Sequence, residues 1–188
     1  MSLAEKKALR IWAKETRRRA ARFSSATAAQ WLAQAQSLAA WRTARCPCLY
    51  VAMPEEAPTK PLLENCWARG IAVVLPRITP AGLVLHKISS AVELVAGVWG
   101  ILEPKENLPE CAPEEIDCVI VPGLAFDAHG GRIGFGKGYY DKLLTRLRPE
   151  VARIGWAFDA QIVGHVPMAE HDVRLDWVVT PTTIYGVG

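Results

Sequence analysis

Cys48-Leu-Tyr-Val-Ala-Met-Pro-Glu-Glu-Ala-Pro-Thr-Lys-Pro-Leu-Leu-Glu-Asn-Cys-Trp-Ala-Arg-Gly-Ile-Ala-Val-Val-Leu-Pro76 reads as strand, helix, strand. Cys48 to Ala52 is a short apolar run of the kind that forms a buried strand, and residues 59–69 form a short helix closed by Gly70. Ile71 to Leu75 is a second buried strand, ended by Pro76. The pattern continues downstream. Leu83 to His86 follows the Pro80-Ala-Gly82 turn as a third strand, residues 104–115 are a Pro- and Glu-rich exposed connection, and Asp117 to Val121 is another strand stopped by Pro122-Gly123. Tyr139 to Leu147 reads as helix, Ala152 to Ala157 as strand and Trp177 to Thr180 as a short last strand. Short buried strands alternating with helices define an α/β fold, expected here as three layers around a largely parallel central sheet with flanking helices.

Upstream the composition differs. Residues 1–45 are Ala-rich and free of Gly and Pro, so a helical N-terminal segment is expected to precede the sheet and pack on it within a single domain over 1–188. Trp31, Leu32, Ala35, Leu38 and Ala39 recur at helical spacing after a Ser24-Ser25 break whose serines could cap the second helix. This segment also holds ten Lys/Arg against two acids, whereas residues 46–188 hold twelve against seventeen. A nucleic-acid surface would therefore have to lie mainly in the first segment.

The 188 residues are 51% hydrophobic and 22% charged, enough apolar content for a sizeable core and too little charge for a disordered chain. Apolar runs such as Ile71 to Leu75 fall far short of the ~20 residues of a membrane span, and the basic start lacks the hydrophobic segment of a secretory signal. A cytoplasmic protein without a membrane partner is expected. The odd count of five cysteines argues against a disulfide framework, and Cys46-Pro-Cys48 has the wrong spacing for a zinc site. Buried thiols are expected.

The chemistry is densest from Val121 to Asp141, Val-Pro-Gly-Leu-Ala-Phe-Asp-Ala-His-Gly-Gly-Arg-Ile-Gly-Phe-Gly-Lys-Gly-Tyr-Tyr-Asp. A buried strand ends at Pro122, a loop with Gly130, Gly131, Gly134, Gly136 and Gly138 follows, and a helix begins near Tyr139. Open α/β sheets bind ligands beyond the carboxyl ends of their strands, and glycines there admit backbone amides close to the ligand. Arg132 and Lys137 add two cations, which favours a phosphate-bearing ligand over a mobile surface loop with ordinary turn glycines. The loop is no Walker A motif, because Gly136-Lys137 is followed by Gly138, and it does not match a dinucleotide fingerprint.

This segment resembles the 5-formyltetrahydrofolate cyclo-ligases, also called 5,10-methenyltetrahydrofolate synthetases. The likeness lies in Pro122 to Asp127, Arg132 and Gly134 to Asp141, with further elements in order at Lys6 to Arg10, Met53 to Thr59, Leu75-Pro-Arg77, Trp99 to Pro104 and Asp172 to Thr180. It implies an enzyme that uses MgATP to close 5-formyltetrahydrofolate to 5,10-methenyltetrahydrofolate, releasing ADP and phosphate. A formamide oxygen is a poor leaving group, so the γ-phosphoryl activates it and the folate nitrogen at position 10 attacks within the same molecule.

The resemblance also implies site roles. Lys6, Arg10, Arg132, Gly134, Phe135, Gly136, Lys137, Gly138, Tyr139 and Tyr140 match ATP-binding positions, with Lys137 and Arg132 as the catalytic cations. Val51, Glu56, Trp99 and the stretch Phe135 to Tyr139 match folate-binding positions, and Asp141 and Asp172 match the carboxylates that hold Mg²⁺. Lys6, Arg10, Lys14 and Arg17 fall within about 80° on a helix, with Leu9 and Trp12 on the packed side. Spacing alone makes this stripe a solvated cationic face, and the resemblance reassigns only Lys6 and Arg10. Pro58, Lys137 and Thr180-Pro181 depart from residues common in the family. The other tryptophans are read as packing groups. The expected partners are small molecules, with no nucleic acid, and the expected state is a monomer. The rival readings are a nucleic-acid module using the basic helix and a relative that binds folate or nucleotide without turnover.

Overall fold

The computed structural model describes residues 3–80, 82–97, 100–169 and 172–187, with side chains from Glu5 onward. The chain opens with helices α1 (Leu3–Phe23), α2 (Ala28–Ser37) and α3 (Ala39–Thr43). The cap of α2 is Thr27 and not the serines: its hydroxyl accepts from the Gln30 amide at 3.2 Å, while the Gln30 side chain accepts from the Thr27 amide at 2.8 Å. That reciprocal pair needs an amide-bearing side chain three residues on, which only Thr27 has.

β1 (Pro47–Cys48), α4 (Lys60–Ala68), β2 (Val73–Thr79) and β3 (Gly82–Ile88) follow, and then the small ribbon of β4 (Leu94–Ala96) and β5 (Leu102–Pro104). β6 (Cys118–Val121) leads into the hairpin of β7 (Ala125–Asp127) and β8 (Arg132–Ile133), and α5 (Tyr139–Leu144) follows. β9 (Ala152–Trp156), β10 (Ile162–Val163), β11 (Trp177–Val179) and β12 (Ile184–Gly186) complete the chain.

The main sheet has the order β12-β11-β9-β6-β1-β2-β3, parallel from β2 through β11 and antiparallel at both edges. Its parallel part is doubly wound. The chain steps from β1 to β2 on one side and then to β6 on the other, so the topological switch lies between β1 and β6. β6 is buried along its length, with Cys118 and Ile120 in a core beneath α2, α3 and α4, and Val119 and Val121 in a second core with Leu143 and Leu144 of α5. Burial on both faces is why its sequence shows no alternation. Among the described residues no helix is long and apolar enough to cross a membrane.

Several elements differ from the sequence reading. The strand expected over Cys48 to Ala52 keeps only Pro47–Cys48, because the Thr59 hydroxyl donates to the Tyr50 carbonyl at 2.6 Å and accepts the Ala52 amide at 3.2 Å in place of a neighbouring strand. β2 runs through Pro76, which lies past Val74, the last β2 residue paired with β1, and opposite Leu85 of β3. The 104–115 connection is partly anchored, with Cys111 and Pro113 buried and the Cys111 amide donating to the Leu85 carbonyl at 2.8 Å. Trp12 does not pack down: it is 49% exposed, while Ala13 and Leu9 face the β7–β8 hairpin. All five cysteines are free thiols and four are buried, with burial pushing Cys66 up to about 11.

Candidate active site

A cleft of about 420 Å³ opens beyond the carboxyl ends of β1 and β6, at the topological switch. One wall is α1, the floor is Tyr50 to Met53 with Pro122, and the far wall is formed by β2, β3 and β5. The glycine loop closes the remaining side. Every described residue that the resemblance implicates lines this one cleft: Lys6, Arg10, Val51, Glu56, Arg132, Gly134 to Tyr140, Asp141 and Asp172. Trp99 lies outside the described residues.

The loop is presented by a built support and is not a single flexible span. Its first half folds as the β7–β8 hairpin, joined by β10. Asp127, 1% exposed, accepts the amides of His129 at 2.9 Å, Gly131 at 2.8 Å and Val166 at 2.7 Å. Burial alone would raise its pKa, but the three amides outweigh it and hold the carboxyl below the usual carboxylate range. The hairpin thereby fixes Arg132. In the second half, Gly136 at φ 94° and Gly138 at φ 68° turn the backbone through the left-handed region just before α5, which a side chain would strain. The Arg10 guanidinium lies beside Gly136, and its Nε donates to the Gly134 carbonyl at 3.1 Å.

At the α5 end of the cleft, cations and acids are paired. Arg132 Nη2 donates to Asp141 Oδ1 at 2.6 Å, and Lys6 Nζ donates to Asp172 Oδ2 at 2.7 Å. Arg132 Nε and the Tyr140 hydroxyl are buried without a hydrogen-bond partner among the described residues, and burial pushes that hydroxyl well above its ordinary range. Among the described residues no cluster of three or more His, Cys, Asp or Glu could hold a metal by itself. Two carboxylates facing one cleft nevertheless fit Mg²⁺, a hard cation that takes one or two protein carboxylates and fills its remaining positions with phosphate oxygens and water.

At the opposite end, Glu56 lies in a turn where its Oε2 accepts the Met53 amide at 3.0 Å and its Oε1 accepts Arg17 Nη1 at 3.0 Å. Burial pushes the Glu56 carboxyl above its usual range, and the Met53 amide and Arg17 oppose that rise. Arg17 is therefore not on a solvated face. It is 1% exposed, 3.8 Å from Glu55, and its guanidinium lies 5.0 Å from the Phe135 ring centroid. The reason is geometric: the helix stripe that points Lys6 and Arg10 into the cleft points Arg17 the same way, where two acids meet it. Lys14 is exposed, as its spacing implies, at the border of the cleft. Arg18 and Arg19 stay exposed.

The far wall was not legible in the sequence. Pro76, Ile78, Leu83, Ile101 and Leu102 form an apolar surface, and Glu103 is set among them. Ile78 and Leu83 are cross-strand neighbours in the β2–β3 ribbon. Their apolar character looks like ordinary strand composition until the ribbon extends past the end of β1.

Sheet order and cleft together define a doubly wound α/β protein with a cleft at the switch point, where such folds take their ligands, with paired charged groups at one end and an apolar far wall. Comparison with known proteins narrows this class. The model of the 5-formyltetrahydrofolate cyclo-ligase family matches residues 2–181, and the chain belongs to that family. It is 33% identical over 142 residues to the 5-formyltetrahydrofolate cyclo-ligase of Escherichia coli K12, covering 73% of this chain and 78% of the relative. The 5-formyltetrahydrofolate cyclo-ligase of Mycolicibacterium smegmatis is 31% identical over 159 residues, covering 79% and 82%. The solved structure of Aquifex aeolicus 5,10-methenyltetrahydrofolate synthetase superposes with a TM-score of 0.80 at 28% identity, covering 97% of this chain and 92% of that one.

Proposed function

We propose that this protein is a cytoplasmic, monomeric enzyme that couples ATP cleavage to the cyclisation of 5-formyltetrahydrofolate. The observation that carries the reading is the convergence of both sets of family-matched residues, nucleotide-side and folate-side, on one cleft at the switch point. In this reading the formyl oxygen attacks the γ-phosphorus of ATP, the bond to ADP breaks, and an imidate-like phosphate forms on the folate. The nitrogen at position 10 then attacks the formyl carbon and gives up its proton, and the carbon–oxygen bond breaks to release phosphate and the methenyl product. Ring closure joins two nitrogens of one molecule, so holding the substrate in a near-attack geometry supplies much of the rate.

The chain's residues divide the work. Lys6 and Arg10 on α1 take the phosphates, and Arg132 and Lys137 neutralise charge on the phosphoryl group in transfer. Asp141 and Asp172 would hold Mg²⁺, which would supply positive charge beside the phosphates. Glu56 accepts N–H donors of the pterin, Val51 packs against the ring, and the segment Phe135 to Tyr139 lies between the two ligands. The cations of α1 that line the cleft are turned toward its interior, which favours this reading over a nucleic-acid surface. The test is absorbance of the methenyl product in a mixture of protein, 5-formyltetrahydrofolate and MgATP. Product should accumulate only when ATP is present. Folded protein that forms none, beside a working control enzyme, would overturn the function.

A further inference from the structure

Glu103, on β5, is 4% exposed and lines the cleft, yet no described residue gives it a hydrogen bond or an ion pair. Its side chain lies flat across Gly97, where any Cβ would collide with the carboxyl group. The five cations that line the cleft, Lys6, Arg10, Lys14, Arg132 and Lys137, belong to α1 and the glycine loop, and Lys6 is engaged by Asp172, Arg132 by Asp141 and Arg10 by the Gly134 carbonyl. Around Glu103 the wall is apolar, with Ile78, Leu83 and Leu102. No described residue pairs with this carboxylate, and its oxygens are not among the fully buried unpaired atoms, so they are left open to the cleft. Glu56 is different, because each of its oxygens already accepts a protein donor.

We propose that Glu103 is a second substrate-contacting carboxylate, which accepts N–H donors of the bound reduced folate from the β5 side of the cleft. The inference rests on the function proposed above. Carboxylates accept only, and the ring and amino N–H groups of a reduced folate are donors that match such an acceptor in a dry pocket. Lone pairs left open toward the cleft are satisfied on binding, so the carboxylate contributes to affinity.

The test is calorimetric titration of the intact wild-type protein and Glu103→Gln, separately with 5-formyltetrahydrofolate and with MgATP, together with the melting temperature of each ligand-free protein. Gln keeps the shape over Gly97 but turns a donor toward donors. Folate affinity should weaken by about tenfold or more while MgATP affinity stays within about twofold. The ligand-free variant should melt at the same temperature or higher, and Glu103→Leu should show the same combination. A wild-type protein that does not bind 5-formyltetrahydrofolate would sink the proposed function itself. Wild-type binding with equal affinity in Glu103→Gln would overturn the role of Glu103 and leave that function standing. A lower melting temperature with both ligands weakened would mark Glu103 as a structural residue and also overturn the proposal.

Discussion

Arg17 shows how much one side chain of α1 decides. It joins the helix to the turn that carries Glu56 and lies against Phe135 of the glycine loop, so three separate parts of the cleft meet at one guanidinium. Burial holds the Glu56 carboxyl above its usual range even with Arg17 present. A raised folded-state pKa means that stability from this group is fully present below its unfolded pKa and is lost as pH rises through the folded one. Without Arg17 the folded pKa climbs further and the ionised carboxylate is left buried alone. Arg17→Met should therefore lose about 3 kcal/mol relative to wild type near pH 8 and recover most of that deficit near about pH 4. Urea midpoints at the two pH values read this directly, and adding Glu56→Gln should restore stability at the higher pH. A deficit independent of pH would mean that Arg17 acts through packing on Phe135 alone. None of this was readable from spacing, which gives a helix face but not what covers it.

At the level of elements, the β7–β8 hairpin is the support that turns a glycine-rich stretch into a positioned loop. Asp127 takes three amides from two separate segments, so removing its carboxylate leaves three backbone donors without an acceptor. Asp127→Ala should lower stability by about 3 kcal/mol or more and weaken MgATP binding, because Arg132 sits on β8. Its pH behaviour runs opposite to that of Glu56. A depressed folded-state pKa gives stability that is present above the unfolded value of 3.8 and lost as pH falls through the folded one. Asp127→Ala should thus show its largest deficit at neutral pH and a smaller one in acid, as measured by chemical denaturation. The sequence made the cleft-lining half of this segment legible because Arg132 to Asp141 is contiguous and its glycines, cations and acid are local signals. The hairpin escaped notice because β7 and β8 are short and owe their pairing to Asp127 and to β10, which arrives much later in the chain. The alternation of strands and helices was legible for the same reason as the loop, being a local pattern. The limits of β1 and β2 were not, since Thr59 and the neighbouring β3 set them.

For the whole molecule, the cleft is assembled from distant parts that are held by contacts among themselves when no ligand is bound. Lys6 of α1 is paired with Asp172, 166 positions away, and Arg132 with Asp141. In the proposed function these four side chains change partners, the cations turning to the triphosphate and the acids to Mg²⁺. Nucleotide without the metal would bring its negative charge against both carboxylates. Saturating MgATP, at about a hundred times its Kd, should stabilise the protein by about 2.7 kcal/mol and raise its melting temperature by roughly 5–10 °C. ATP in the presence of a chelator should raise it much less. Asp141→Asn separates the metal role from a merely electrostatic one. It removes a carboxylate that repels bare ATP and a ligand that Mg²⁺ needs, so the chelator penalty should shrink while turnover falls by about a hundredfold. Thermal melts with and without chelator, beside the rate of methenyl formation, give both numbers from one preparation. Turnover near the wild-type rate would remove Asp141 from the metal site, and an unchanged chelator penalty would mean that Asp172 alone faces the nucleotide.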